Sequence, residues 1–100
     1  MITQVDHQDL PGAELVDRGL GDLGEGRLTV EALLVAIGAP RLRALGIPVP
    51  EAPVENPEHA LWRLLDDQGA DVHSAFNALR RRLMSFQRSL ERRVRAVGSH

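Results

Sequence analysis

From residue 71 to residue 97 the chain contains neither Gly nor Pro, and its apolar residues recur at helical intervals. Val72, Phe76, Leu79, Leu83, Phe86, Leu90, Val94 and Val97 are separated by 4, 3, 4, 3, 4, 4 and 3 residues. The first five make a heptad seam, and the extra step near Leu90 is a stutter or a drift back to 3.6 residues per turn. This predicts one long amphipathic helix over about 71–97, with Asp71 as its cap. At 1.5 Å per residue, residues 72–97 would span ~39 Å. A compact domain of 100 residues is roughly 34 Å across, with a radius of gyration near ~13 Å. The rest of the chain must therefore be arranged around a spine as long as itself.

What precedes the spine reads as three shorter helices. Residues 1–8 form a loose lead-in. A first helix is expected from Asp9 as N-cap, with Pro11 in its first turn and Ala13, Val16, Leu20 and Leu23 on one face. Gly19 and Gly21 lie inside it, each costing about 1 kcal/mol relative to Ala, so it is either held by its neighbours or approached closely by another backbone. Gly24 and Gly26 end it. Thr29 caps a second helix with Val30, Leu33, Leu34 and Ile37 on its buried stripe. Gly38 and Pro40 predict a break, then one or two turns ended by Gly46. Residues 46–56 hold Pro48, Pro50 and Pro53 and must be an extended connection, its Ile47, Val49 and Val54 lying against the body. Asn56 and Pro57 open a third main helix with Leu61, Leu64 and Leu65 inward and Trp62 beside them. The expectation is one all-α domain over 1–100, a small bundle of four main helices, with 98–100 a frayed tail.

The third helix, at about a dozen residues or ~18 Å, covers only the first half of the spine. The distal seam, Phe86, Leu90, Val94 and Val97, must find the first two helices or the same helix of a second subunit. Those four residues are the candidate interface.

Charge divides the chain at the same place. Residues 1–70 carry 5 Arg against 12 Asp and Glu, whereas 71–100 carry 7 Arg against Asp71 and Glu91. On a helical wheel Arg81, Arg88 and Arg95 fall on the outermost line, with Arg92 one position round. Antiparallel pairing of the last two helices brings Glu55 and Glu58 near Arg80, Arg81 and Arg82, leaving Arg88, Arg92, Arg93 and Arg95 to Asp17, Asp22 and Glu25, to the helix C-terminus, or to phosphates. The aromatics lie on the seam, away from the arginine line, which weakens a model of stacking on single-stranded bases. A helix-turn-helix fares badly too, since its recognition helix would be far too long.

Catalytic patterns are missing. The chain has no Cys, which removes disulfides and thiolate chemistry. His7, His59, His73 and His100 share no helical face and match no HExxH pattern. His59 and His73 could approach Asp66, Asp67 or Asp71 across the turn, with ligand types suited to Zn or Mg, but the spacing is unspecific and helix-end acids explain these residues better. Ser74, Ser85, Ser89 and Ser99 have no visible elbow or base. The glycines of GLGDLGEG, residues 19–26, fit neither dinucleotide nor P-loop patterns. No apolar run approaches a membrane span and no secretory signal is visible, so the cytoplasm is the expected compartment. The reading is a non-enzymatic protein, without metal or cofactor, acting as a homodimer or on another protein. The alternative is a nucleic-acid-binding regulator or antitoxin-like accessory factor, contacting phosphates through Arg88, Arg92, Arg93 and Arg95.

Overall fold

The computed structural model describes residues 7–69 and 71–98, and among these residues the chain is all helix and turn, with no strand. Five helices follow one another: α1 (Ala13–Gly24), α2 (Val30–Ile37), α3 (Ala39–Ala44), α4 (Pro57–Asp67) and α5 (Val72–Gly98). The expected four become five because the break at Gly38 and Pro40 is complete, and the turns after it form α3 with Pro40 in its first turn. The long C-terminal helix is present, and the molecule measures 48 × 25 × 19 Å.

Local signals account for most boundaries. The Thr29 side chain accepts from the Ala32 amide at 3.2 Å and donates to Asp22 Oδ2 at 2.7 Å, tying the start of α2 to the end of α1. Asn56 Oδ1 accepts from the His59 amide at 3.1 Å at the start of α4. At α5, the Ala75 amide donates to the Asp71 carbonyl at 2.9 Å, and the Ser74 hydroxyl donates to Asp71 Oδ2 at 3.2 Å. Ile47 and Val49 are buried, as the apolar residues between the prolines require. The Arg43 guanidinium clamps that connection, donating twice to the Val49 carbonyl at 3.1 and 2.8 Å.

The second helix differs from its expected single stripe. Ala32, Leu33, Leu34 and Val35 are all buried, so α2 is enclosed on nearly every side by α1, α4 and α5. A helix that is apolar almost all round belongs in a core. This is also why α4 fails to run along α5. It packs chiefly on α2 and meets α5 near their connecting turn, where the Trp62 ring lies 5.0 Å from His73 and 5.7 Å from Phe76.

The first helix starts three residues later than Asp9 as N-cap predicts. Its N-cap is Gly12, with φ 82°, a left-handed conformation that disfavours any side chain. A Cβ there would lie 2.9 Å from the Arg82 carbonyl oxygen and 3.3 Å from Phe86 Cβ. Residues 7–12 are thus a strap pressed on α5. The His7 ring meets the Phe86 ring edge-on at 5.6 Å. His7 Nε2 sits 3.1 Å from Asp17 Oδ1. Asp9 takes two hydrogen bonds from the Arg93 guanidinium, at 2.6 and 3.1 Å. Residues 1–6, the rest of the expected lead-in, lie outside the described residues, as do 99–100 of the expected tail.

Candidate interaction surfaces

The strap decides the fate of the distal seam. Phe86 is 0 % exposed and Leu90 is also buried, both inside the chain's own core. Val94 is half-buried against that core. Only Val97, at the end of α5, is open, with 56 % of its surface exposed. The seam that had no evident cover is covered through Leu90 by α1, α2 and residues 7–12.

The arginines also divide differently from the expected pattern. Among the described residues no ion pair joins Glu55 or Glu58 to Arg80, Arg81 or Arg82, because α4 lies on α2 instead of alongside α5. Arg80 instead holds its guanidinium 6.0 Å from the Phe76 ring centroid. Asp17, Asp22 and Glu25 do not reach the distal arginines. Asp17 is with His7, and both Asp22 and Glu25 are with Arg27. Of the distal four, Arg93 is held by Asp9, and Arg95 lies 3.4 Å from Glu91, which also takes Arg41 at 3.1 Å. Arg88 and Arg92 are exposed and form no ion pair among the described residues.

The Asp9–Arg93 tie has a pH signature. Hydrogen bonding from Arg93, aided by its positive charge, holds the Asp9 carboxyl below its ordinary range. A carboxyl more acidic folded than unfolded stabilises the fold above the unfolded value, near pH ~4, and loses that contribution as pH falls through the lowered one. Titration of the Asp9 side-chain carbon by NMR should show this depressed midpoint, and Arg93→Gln should raise it toward the ordinary value. An unchanged midpoint in that variant would break the assignment.

A second surface was not foreseen. Among the described residues, two of the four large apolar side chains left exposed, Trp62 of α4 at 37 % and Met84 of α5 at 36 %, lie on one flank of α5. They are linked through Phe76, which touches Trp62, and Arg80, which lies over Phe76 and lines a groove with Met84. That groove, of about 230 Å³, runs between the α2–α3 junction and α5, with Ile37, Pro40 and Leu83 among its walls. Gln87, the one buried polar side chain among the described residues, donates to the Gly38 carbonyl at 3.4 Å beside it. The signal for this flank was present as Trp62 falling beside the leucine stripe of α4, but its neighbours come from three other elements.

His73, which the sequence placed near the acids of the α4–α5 turn, packs its ring on Trp62. Among the described residues no group of three or more His, Asp or Glu side chains is placed to hold a metal ion, and no helix is long and apolar enough to cross a membrane. The fold and surfaces define an all-α bundle built on one long helix, with an apolar flank and a cationic outer face. No protein-family model, curated protein or solved structure matches the chain.

Proposed function

We propose that the protein is a cytoplasmic, non-enzymatic association module that pairs with a second copy of itself through the Trp62–Met84 flank. The observation that carries this is Trp62, a large ring left more than a third exposed, which Phe76 and Arg80 connect to the groove lined by exposed Met84. Trp is the residue most enriched among the side chains that dominate interface energies, and such side chains sit against pockets. A 100-residue chain has a thin stability margin, to which a partner's apolar surface adds. The flank takes the role that the distal seam was expected to play, with Val97 as the part of that seam still open. A partner of different sequence is the other occupant this surface could take.

Sedimentation equilibrium at tens of micromolar tests the proposal. The wild type should self-associate, and Trp62→Ser should weaken the dimer by at least ~2 kcal/mol, roughly thirtyfold in Kd. Met84→Asp, at an exposed position, should do the same while far-UV circular dichroism stays unchanged. A wild type that remains strictly monomeric, or variants that dimerise as well as wild type, would overturn it.

A further inference from the structure

The outer face of α5, turned away from the core, has a composition unlike that flank. Arg81, Arg88, Arg92 and Arg95 run along one line of the helix and all are exposed. At 1.5 Å per residue the line is ~21 Å long. Arg81, Arg88 and Arg92 form no ion pair among the described residues. Arg95 has only the 3.4 Å contact to Glu91, and its side chain is 75 % exposed. Between these arginines stand Ser85 and, to one side, Ala78 and Ala96, with Ser74 and Asn77 preceding them. The one apolar side chain larger than Ala at its border is Met84, one turn from both Arg81 and Arg88 and 36 % exposed.

A protein interface needs aromatic or aliphatic anchors in its dehydrated centre. This face supplies only Met84, at its border, and four exposed arginines, so a partner along the line must be held mainly by charge and polar contacts. Regularly spaced phosphates meet that requirement, because Arg presents a planar fork of donors to phosphate oxygens. The helix is also fixed before any partner arrives. Phe86 and Leu90 anchor it in the core, and the Asp9–Arg93 pair fastens its side. A rigid, straight line without stacking rings suits a duplex backbone better than a single strand, whose binders use exposed aromatics. Arg93, a candidate from the sequence, is committed to Asp9, and Arg81 takes its place on the line.

We propose that the outer face of α5 binds the phosphate backbone of duplex nucleic acid through Arg81, Arg88, Arg92 and Arg95, without reading base sequence. Four phosphate contacts release about 3.6 counterions, so the logarithm of affinity should fall against log salt with slope roughly −3 to −4. Between 50 and 200 mM salt that is about 60- to 250-fold. This binding is independent of the Trp62 flank and survives its failure.

The experiment is fluorescence anisotropy of a labelled 20-base-pair duplex of arbitrary sequence, titrated with the full chain at several salt concentrations. Wild type should bind in the micromolar range at ~50 mM salt, with that slope. The triple variant Arg81→Gln/Arg88→Gln/Arg92→Gln should lose at least tenfold in affinity and keep a slope near about −1. Its three sites are exposed, so circular dichroism and thermal midpoint should match wild type. Trp62→Ser should bind the duplex as wild type does. Three results would each overturn the proposal: no binding at ~50 mM salt, a triple variant that binds unchanged, or tighter binding of single strands than of the duplex.

Discussion

Replacing Phe86 by Ala should lower the stability of the folded chain by about 3–5 kcal/mol, the range for emptying a fully buried aromatic site. Domains of this size are stable by roughly 5–15 kcal/mol, so the variant could be partly unfolded at room temperature. Phe86 is 0 % exposed and sits where three elements converge. The His7 ring closes over its edge, and the left-handed turn at Gly12 brings backbone within a methyl group's reach of its Cβ. The cavity should therefore collapse poorly, because a strap fixed by a glycine turn and an ion pair cannot follow a shrinking side chain. Urea denaturation at widely separated protein concentrations reads both the size and the origin of the loss. A residue in the chain's own core gives the same loss at every concentration. A residue in a seam between subunits gives a loss that shrinks as dilution separates the subunits of the wild type as well. A loss below about 1 kcal/mol, a value typical of much milder substitutions, or one that depends on concentration, would return Phe86 to an interface.

The fate of Phe86 also shows where reading the sequence stops. Elements marked by local chemistry were legible: Thr29, Asn56 and Asp71 cap helices, Gly38 and Pro40 divide α2 from α3, and the gap-free run after Asp71 is one helix. The strap was not. Residues 7–12 have no period, and Asp9 before Pro11 resembles an N-cap, a pattern that local rules favour. The tertiary contact of Gly12 with α5 and the pairing of Asp9 with Arg93, 84 residues away, override it. Charge pairing failed for a related reason. Assigning Glu55 and Glu58 to Arg80–82 assumed that sequence neighbours α4 and α5 lie side by side, whereas the apolar surface all round α2 draws α4 onto itself. The outer arginine line was legible because it depends on helical periodicity alone. The Trp62–Met84 flank was not, since it is assembled from α4, α5 and the α2–α3 junction, whose relative placement no single periodicity encodes.

Gly19 and Gly21 offer the second large effect, because one substitution on one helix should change sign between them. Both lie inside α1, and Ala is the better helix former at either by about 1 kcal/mol. At Gly21 a Cβ would meet nothing within 4 Å, so Gly21→Ala should stabilise the protein by ~0.5–1 kcal/mol. At Gly19 a Cβ would collide with the Glu31 carbonyl oxygen and come within 2.5 Å of Val35 Cγ2. Neither obstacle can step aside cheaply. The carbonyl is backbone of α2, and Val35 is fully buried in a helix enclosed on nearly every side. To admit one methyl group α1 and α2 must separate, at an overpacking cost of about 1–3 kcal/mol that outweighs the propensity gain. The two variants should thus differ by roughly 1–3 kcal/mol, with about 4–8 °C of thermal midpoint per kcal/mol in a domain of this size. Helix propensity is common to both and cancels, so the difference reports the close approach of α1 to α2 alone. If both alanines raise the midpoint, the helices are not in contact at Gly19. Then α2 loses the enclosure that draws α4 away from α5, and the placement of every surface residue on the flank moves with it.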